Sequence, residues 1–218
     1  MARLVTALAN QKGGVGKTTT AINLAACLAH HNVKVLLIDM DPQANATSGL
    51  GVQSKPGGSL YPVLLGDSPL ADKAIATSIP NLDLVPSEVD LAGAEIDIAR
   101  GERYLQRFRD ALQPLLALNR YEQILLDCPP SLGILTMNAL TASDTIVVPL
   151  QCEYYALEGL NVVIRLIDQL RQTGANPNLE LEGIVMTMYD SRTNLANQVV
   201  EEVRKFFGDK IYQTLIPR

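Results

Sequence analysis

The chain has 218 residues, 47% of them apolar, enough for one α/β domain with a full core. No apolar run approaches the ~20 residues of a membrane span, and a formal net charge of −5 excludes general attraction to nucleic acid, so any DNA contact needs a local basic patch. Cys27, Cys128 and Cys152 lack C-x-x-C spacing, which argues against a disulfide framework or a zinc site and for small buried side chains in a reducing cytoplasm. The start, Met1-Ala2-Arg3-Leu4, enters a strand directly and leaves no room for a signal peptide.

The first predicted strand, Leu4–Ala9, feeds Gln11-Lys12-Gly13-Gly14-Val15-Gly16-Lys17-Thr18-Thr19 and then a helix over Lys17–Ala29. A strand, a Gly-rich turn and a helix N-terminus in this order form a phosphate loop. Backbone N–H groups of Gly13, Gly14, Val15, Gly16 and Thr19 converge on phosphate oxygens, and the helix's positive end favours the same anion. Lys17 is expected on the β/γ-phosphates of ATP, with the Thr18 hydroxyl as a ligand of Mg²⁺. The usual loop carries Gly where this chain has Gln11, and a second lysine, Lys12, follows it. That is the deviant Walker A pattern.

The second predicted strand, Val33–Ile38, leads into Asp39-Met40-Asp41-Pro42-Gln43. The stretch Gly51–Asp72, with Lys55-Pro56-Gly57-Gly58, is the least regular and reads as a surface excursion with a short helix. Next come a strand at Leu82–Val85 and helices at Glu88–Asp97 and Glu102–Leu118. The strand Gln123–Leu126 ends in Asp127, the Walker B form, ahead of a helix at Leu132–Thr141. A strand at Thr145–Leu150 then reaches Gln151-Cys152-Glu153-Tyr154-Tyr155, and a helix covers Leu157–Gln172. The last elements are strands at Glu182–Met188 and Ile211–Leu215 around a helix at Leu195–Phe207.

Apolar strands alternating with helices predict one α/β domain over residues 1–218: a mostly parallel, doubly wound sheet of about seven strands with helices on both faces. Functional loops then gather at the carboxyl ends of the strands. An Asp there is by itself as often a helix cap or turn former. Beside a phosphate loop, Asp127 can hold Mg²⁺ through a water, and Asp39 or Asp41 can position an attacking water.

These residues resemble the ParA/Soj group of chromosome- and plasmid-partitioning ATPases, within the MinD-like deviant Walker class. The resemblance runs over nearly the whole chain. It rests on Asn10–Thr20, Asp39–Gln43, Asn45–Gly51, Leu91–Glu95, Asp127–Gly133, Gln151–Leu160 and Arg192–Asn194. The Gln151–Leu160 segment is the most specific to chromosomal members. The resemblance implies slow ATP hydrolysis stimulated by a ParB-type centromere-binding partner. It also implies an ATP-dependent homodimer in which each Lys12 reaches the other subunit's phosphates and DNA is bound without sequence preference. By matched position Asp41 orients the hydrolytic water, Thr18 ligates Mg²⁺, Asp127 acts through a metal-bound water, and Asp39 supports them. Arg192 falls where the group places a DNA-contacting arginine, although an ordinary exposed helix-start arginine reads the same way. Pro217 matches a stretch lining the adenine. The implied location is cytoplasmic and nucleoid-associated, with no membrane.

Such proteins continue past Ile216-Pro217-Arg218 with a further loop and terminal helix, so the domain is expected to lack a C-terminal segment. No DNA-binding domain precedes the first strand, so operator-specific autoregulation is not expected. A membrane-directed positioning ATPase like MinD is the alternative, requiring a C-terminal amphipathic helix. An electron-transfer protein like the nitrogenase iron protein would need cluster-ligating cysteines, and Cys128 and Cys152 do not reproduce that arrangement.

Overall fold

Strands that are apolar along their whole length need cover on both faces. In the computed structural model, residues 4–218 are described and the sheet has that cover; the reading of Met1-Ala2-Arg3 lies outside them. The order is β1 (Leu4–Leu8), α1 (Lys17–His30), β2 (Val35–Asp39), α2 (Asn45–Gly49), α3 (Tyr61–Leu65), β3 (Ile75–Ala76), β4 (Leu82–Val85), α4 (Leu91–Ala99) and α5 (Arg107–Ala117). It continues with β5 (Gln123–Asp127), α6 (Ile134–Ala142), β6 (Thr145–Gln151), α7 (Ala156–Gln172), β7 (Glu180–Tyr189), α8 (Asn194–Phe207) and β8 (Ile211–Pro217).

The strands form one sheet in the order β3-β4-β2-β5-β1-β6-β7-β8. All seven predicted strands are present and parallel; the eighth, β3, runs antiparallel to β4 at the edge. Its two residues are both exposed, so no apolar pattern announced it. The order turns around at β1, whose neighbours are β5 and β6. Crevices at the carboxyl ends of such a switch point are where open α/β sheets bind ligands.

Alternation along each strand divides the core. Leu36 and Ile38 join the larger apolar cluster with α3 to α8, whereas Val35 and Leu37 join a smaller one under α1. Helix α1 buries Lys17, Ala21, Ala25 and Ala29. Four-residue spacing puts them on one stripe, and three alanines let the helix lie close to the sheet. That closeness fixes where the helix N-terminus meets β1. On the other side, fully buried side chains such as Phe108, Leu112 and Leu140 each contribute about 1.5–3 kcal/mol.

Three expectations need correction. The stretch Gly51–Asp72 does contain a short helix, α3, but it is more than a surface excursion: Leu60, Val63, Leu64 and Leu70 are buried in the larger cluster. Helix α5 begins at Arg107 rather than Glu102, because Arg103 takes a positive φ of 56° that no helix interior allows. Cys128 and Cys152 are buried as expected, while Cys27 is exposed on α1; all three are free thiols.

Candidate functional site

The phosphate loop leaves β1 through Asn10, which is 1% exposed. Its Nδ2 donates to the Pro149 carbonyl at 2.8 Å, and its Oδ1 accepts from the Lys12 N–H at 3.0 Å. This ties the loop's start to β6. The far side is tied to β7, where the Thr187 hydroxyl donates to the Val15 carbonyl at 2.8 Å. Between these anchors Gly14 (φ 73°) and Gly16 (φ 85°) adopt left-handed backbone that a side chain would strain. Gly16 leads straight into α1, so the helix N–H groups of Lys17, Thr18 and Thr19 open onto the loop.

Lys17 is 6% exposed and its ammonium donates to the Lys12 carbonyl at 3.0 Å, crossing the loop. Burial lowers its pKa, while the nearby Asp127, Cys128 and Asp41 pull it back upward. Lining a cavity of about 400 Å³ beside it are Gly13, Thr18, Thr19, Asp41, Gln43 and Pro130, among others. The volume suits the phosphates of a nucleotide rather than a whole base and sugar.

The acidic floor comes from two adjacent strands, since Asp39 and Asp127 are register partners on β2 and β5. Both are fully buried. Asp39 is well provided for: one oxygen accepts from the Thr47 N–H (2.8 Å) and hydroxyl (2.7 Å), and the other from the Asp41 N–H (3.2 Å). Burial still pushes its pKa up to about 6 against those hydrogen bonds. Asp41 has one oxygen accepting from the Gln43 N–H at 3.0 Å and borders the cavity.

Asp127 differs. Neither of its oxygens has a hydrogen-bond partner. Burial raises its pKa to about 7; the Thr18 hydroxyl favours the charged form without reaching normal hydrogen-bond geometry, and Asp39 and Asp41 repel it. Buried carboxylates are ordinarily satisfied. A bare one facing a Thr hydroxyl at the foot of a phosphate loop fits Mg²⁺, a hard cation that keeps several waters and shares phosphate ligands. Among the described residues no group of three or more His, Cys, Asp or Glu could hold a metal unaided.

Lys12 lies outside this pocket. Half-exposed, its ammonium pairs with Glu153 from the turn after β6. Arg192 stands just before α8, its side chain 86% exposed and paired bidentately with Asp190 at 2.9 and 2.7 Å. That pairing holds the Asp190 carboxyl down at about 2. Pro217 is exposed at the end of β8 opposite Tyr189 and does not line the phosphate cavity, although Met188 of the adjoining strand does. So the structure gathers Gly13 to Thr19, Asp39, Asp41 and Asp127, and leaves Lys12, Arg192 and Pro217 apart. The supporting residues Thr47, Thr187 and Glu153 carried no role in the sequence reading. Thr47 sits in a quoted motif, but Thr187 lies within an ordinary apolar strand and gives no signal.

Against known proteins, a family model described as an AAA domain matches residues 3–181. The chromosome partitioning protein ParA of Caulobacter vibrioides is 51% identical over 98% of this chain and 80% of its own length. The chromosome-partitioning ATPase Soj of Thermus thermophilus is 50% identical over 97% of this chain and 80% of its own. Among solved structures, cobyrinic acid a,c-diamide synthase from Mycobacterium smegmatis, with bound ATP analog and magnesium, superposes with a TM-score of 0.91 at 38% identity. That match covers 100% of this chain and 88% of the other. A phosphate loop with a second lysine, an acidic floor on adjacent strands and half of all residues shared with partitioning proteins lead to one conclusion: the chain belongs to the ParA/Soj family of chromosome-partitioning ATPases.

Proposed function

We propose that this chain is a nucleotide-driven switch that dimerises on ATP, binds DNA without sequence preference and hydrolyses ATP when a ParB-type partner engages it. The observation that carries the reading is the bare, buried Asp127 carboxylate beneath a loop whose lysine is already turned inward. Lys17 and the loop N–H groups bind the β- and γ-phosphates, where phosphoryl transfer needs positioning and charge neutralisation above all. Thr18 and, through a water, Asp127 would hold Mg²⁺, which when bound neutralises charge on the phosphate oxygens. The Asp41 oxygen not engaged by Gln43 accepts a hydrogen bond from the attacking water and aims it. Asp39, anchored by Thr47, keeps the Asp41 backbone in place.

Lys12 leaves Glu153 to reach the partner subunit's phosphates, which couples nucleotide state to dimerisation. Arg192 then appears twice on one face of the dimer and supplies a basic strip that a chain of net charge −5 otherwise lacks. Pro217 belongs to the adenine side of the site. The protein works in the cytoplasm on the nucleoid, with no membrane in the cycle.

Solution mass with ATP against ADP, each with and without DNA, tests the reading. The expected result is a dimer with Mg²⁺ and ATP only, and DNA retention only by that dimer. A monomer under all four conditions, or equal DNA binding with ADP, would overturn it.

A further inference from the structure

Thr187 is buried, and its hydroxyl makes a single hydrogen bond among the described residues, to the Val15 carbonyl at 2.8 Å. Strand alternation puts it there. Along β7, Ile184 and Met186 enter the larger apolar cluster, whereas Val185 enters the smaller one under α1. Thr187, two residues on, therefore faces the side where the phosphate loop runs into α1. Its methyl carbon lies 3.7 Å from where a Cβ on Gly16 would stand. Hydroxyl and methyl thus meet the same peptide unit, Val15–Gly16.

That unit is free to turn over unless something holds it. Gly16 has φ 85° and no Cβ, so its amide plane rotates at little steric cost. A trans peptide points its N–H away from its own C=O, and the described residues contain no cis bond. Gly16 borders the phosphate cavity, while Val15 and Thr187 do not. With the Val15 carbonyl held behind the loop, the Gly16 N–H points forward into that cavity. It has no acceptor among the described residues.

We infer that Thr187 is a positioning residue for nucleotide binding: its hydroxyl fixes the Val15–Gly16 peptide so that the Gly16 N–H is aimed at a phosphate oxygen before nucleotide arrives. Donors set in advance cost no reorganisation on binding. Without the hydroxyl, the Val15 carbonyl is a buried acceptor with no donor. The peptide then gains by turning toward another donor, which swings the Gly16 N–H out of the cavity. The inference rests on nucleotide binding at this loop and not on dimerisation or DNA, so ADP is the ligand for the test.

Calorimetry with Mg²⁺ and ADP compares the parent with Thr187→Val, which keeps the shape and removes the donor, and with Thr187→Ser, which keeps the donor. Thr145→Val is the control. It removes another buried hydroxyl, paired with Thr6 at 3.0 Å at the start of β6, the opposite end of the sheet from the loop. ADP affinity should fall about tenfold in Thr187→Val and stay within about threefold of the parent in the other two, the loss expected for one misaimed hydrogen bond to a charged group. Melting temperatures check folding; a purely structural role would lower them in both valine variants without separating their ADP affinities. The parent supplies a second measurement that needs no variant. In an isotope-labelled sample, the Gly16 amide proton should move downfield when ADP is added, and move less in Thr187→Val. Parent-like affinity in a folded Thr187→Val, an equal loss in Thr187→Ser or Thr145→Val, or a Gly16 amide unmoved by bound ADP would overturn the inference alone. A parent that binds no ADP would overturn the nucleotide site together with it.

Discussion

Replacing Asp127 with Asn should stabilise the nucleotide-free protein while destroying its response to Mg²⁺ and ATP. The carboxylate is fully buried, unpartnered and beside Asp39, and its pKa is raised from 3.8 to about 7. The folded chain thus holds this proton more tightly than the unfolded chain does. Stability from this group is greatest below about pH 4, is lost as pH rises to about 7, and is level above that. Each pH unit in the window is about 1.4 kcal/mol, so the ionised group costs about 4 kcal/mol at pH 8. The Asn amide removes that cost but leaves its own poorly satisfied polar group, worth about 1–3 kcal/mol. The net gain is about 2 kcal/mol, or roughly 4–8 °C in Tm for a chain of this size. Melts by differential scanning fluorimetry at pH 5 and pH 8, with and without Mg²⁺ and ATP, supply the assay. The pH slope should shrink without vanishing, because Asp39, raised to about 6, titrates in the same sense. Asp190, lowered to about 2, acts in the opposite sense and only below about pH 4. A Tm at pH 8 below the parent's, or an unaltered slope, would refute the reasoning.

Four further outcomes follow from the proposed cycle. Lys17→Ala removes the buried charge facing the phosphates and should weaken binding of ATP and ADP by roughly 10- to 100-fold, read by calorimetry. Lys12→Ala should spare ADP binding and abolish the ATP-dependent dimer; equal loss of ADP affinity in both variants would put Lys12 in its own subunit's site. Asp41→Ala should bind ATP yet release no phosphate, leaving a persistent dimer, and parent-like turnover would move the water-positioning role to Asp39. Arg192→Ala should weaken binding to all DNA sequences alike and lower the logarithmic salt slope by roughly two per dimer, from about 0.9 per phosphate contact. An unchanged slope in a salt titration would remove Arg192 from the interface.

What could be read in the sequence is what local periodicity and motif spacing encode. The seven parallel strands showed as apolar runs, because strands buried on both faces cannot hide among polar residues. Lys17, Asp41 and Asp127 showed because each ends or follows such a run. Strand β3 did not, having two exposed residues that follow the edge of β4 rather than any pattern of their own. The burial of Leu60, Val63 and Leu64 escaped notice for a related reason. Glycines and prolines around them mark a loop, and only packing against α5 and the sheet's cluster shows that the loop closes the core. Thr187 was invisible because its task, fixing the Val15 carbonyl 172 positions earlier, belongs to a contact and not to a spacing.

The two cations assigned to intermolecular work share a property that motifs could not disclose. Lys12 is held by Glu153 and Arg192 by Asp190, each a carboxylate of the same chain. Both pairs lie in the open, where solvent screens the attraction and the long side chains lose entropy by holding one geometry. Each is therefore cheap to exchange. A nucleotide's terminal phosphate presents more charge than a carboxylate and a DNA phosphate an equal charge, and both accept from the same donors, so either cation can trade its own chain's carboxylate for a phosphate oxygen at little cost. The buried cluster behaves differently: Asp39 is fixed by three hydrogen bonds and Lys17 is folded inward, so that part is organised before nucleotide arrives. Rigid groups thus gather at the phosphate loop, and exchangeable ones face outward. A switch that must assemble on ATP and come apart on ADP needs that division, since an outward cation locked in a buried pair could not be recruited by a weak intermolecular contact.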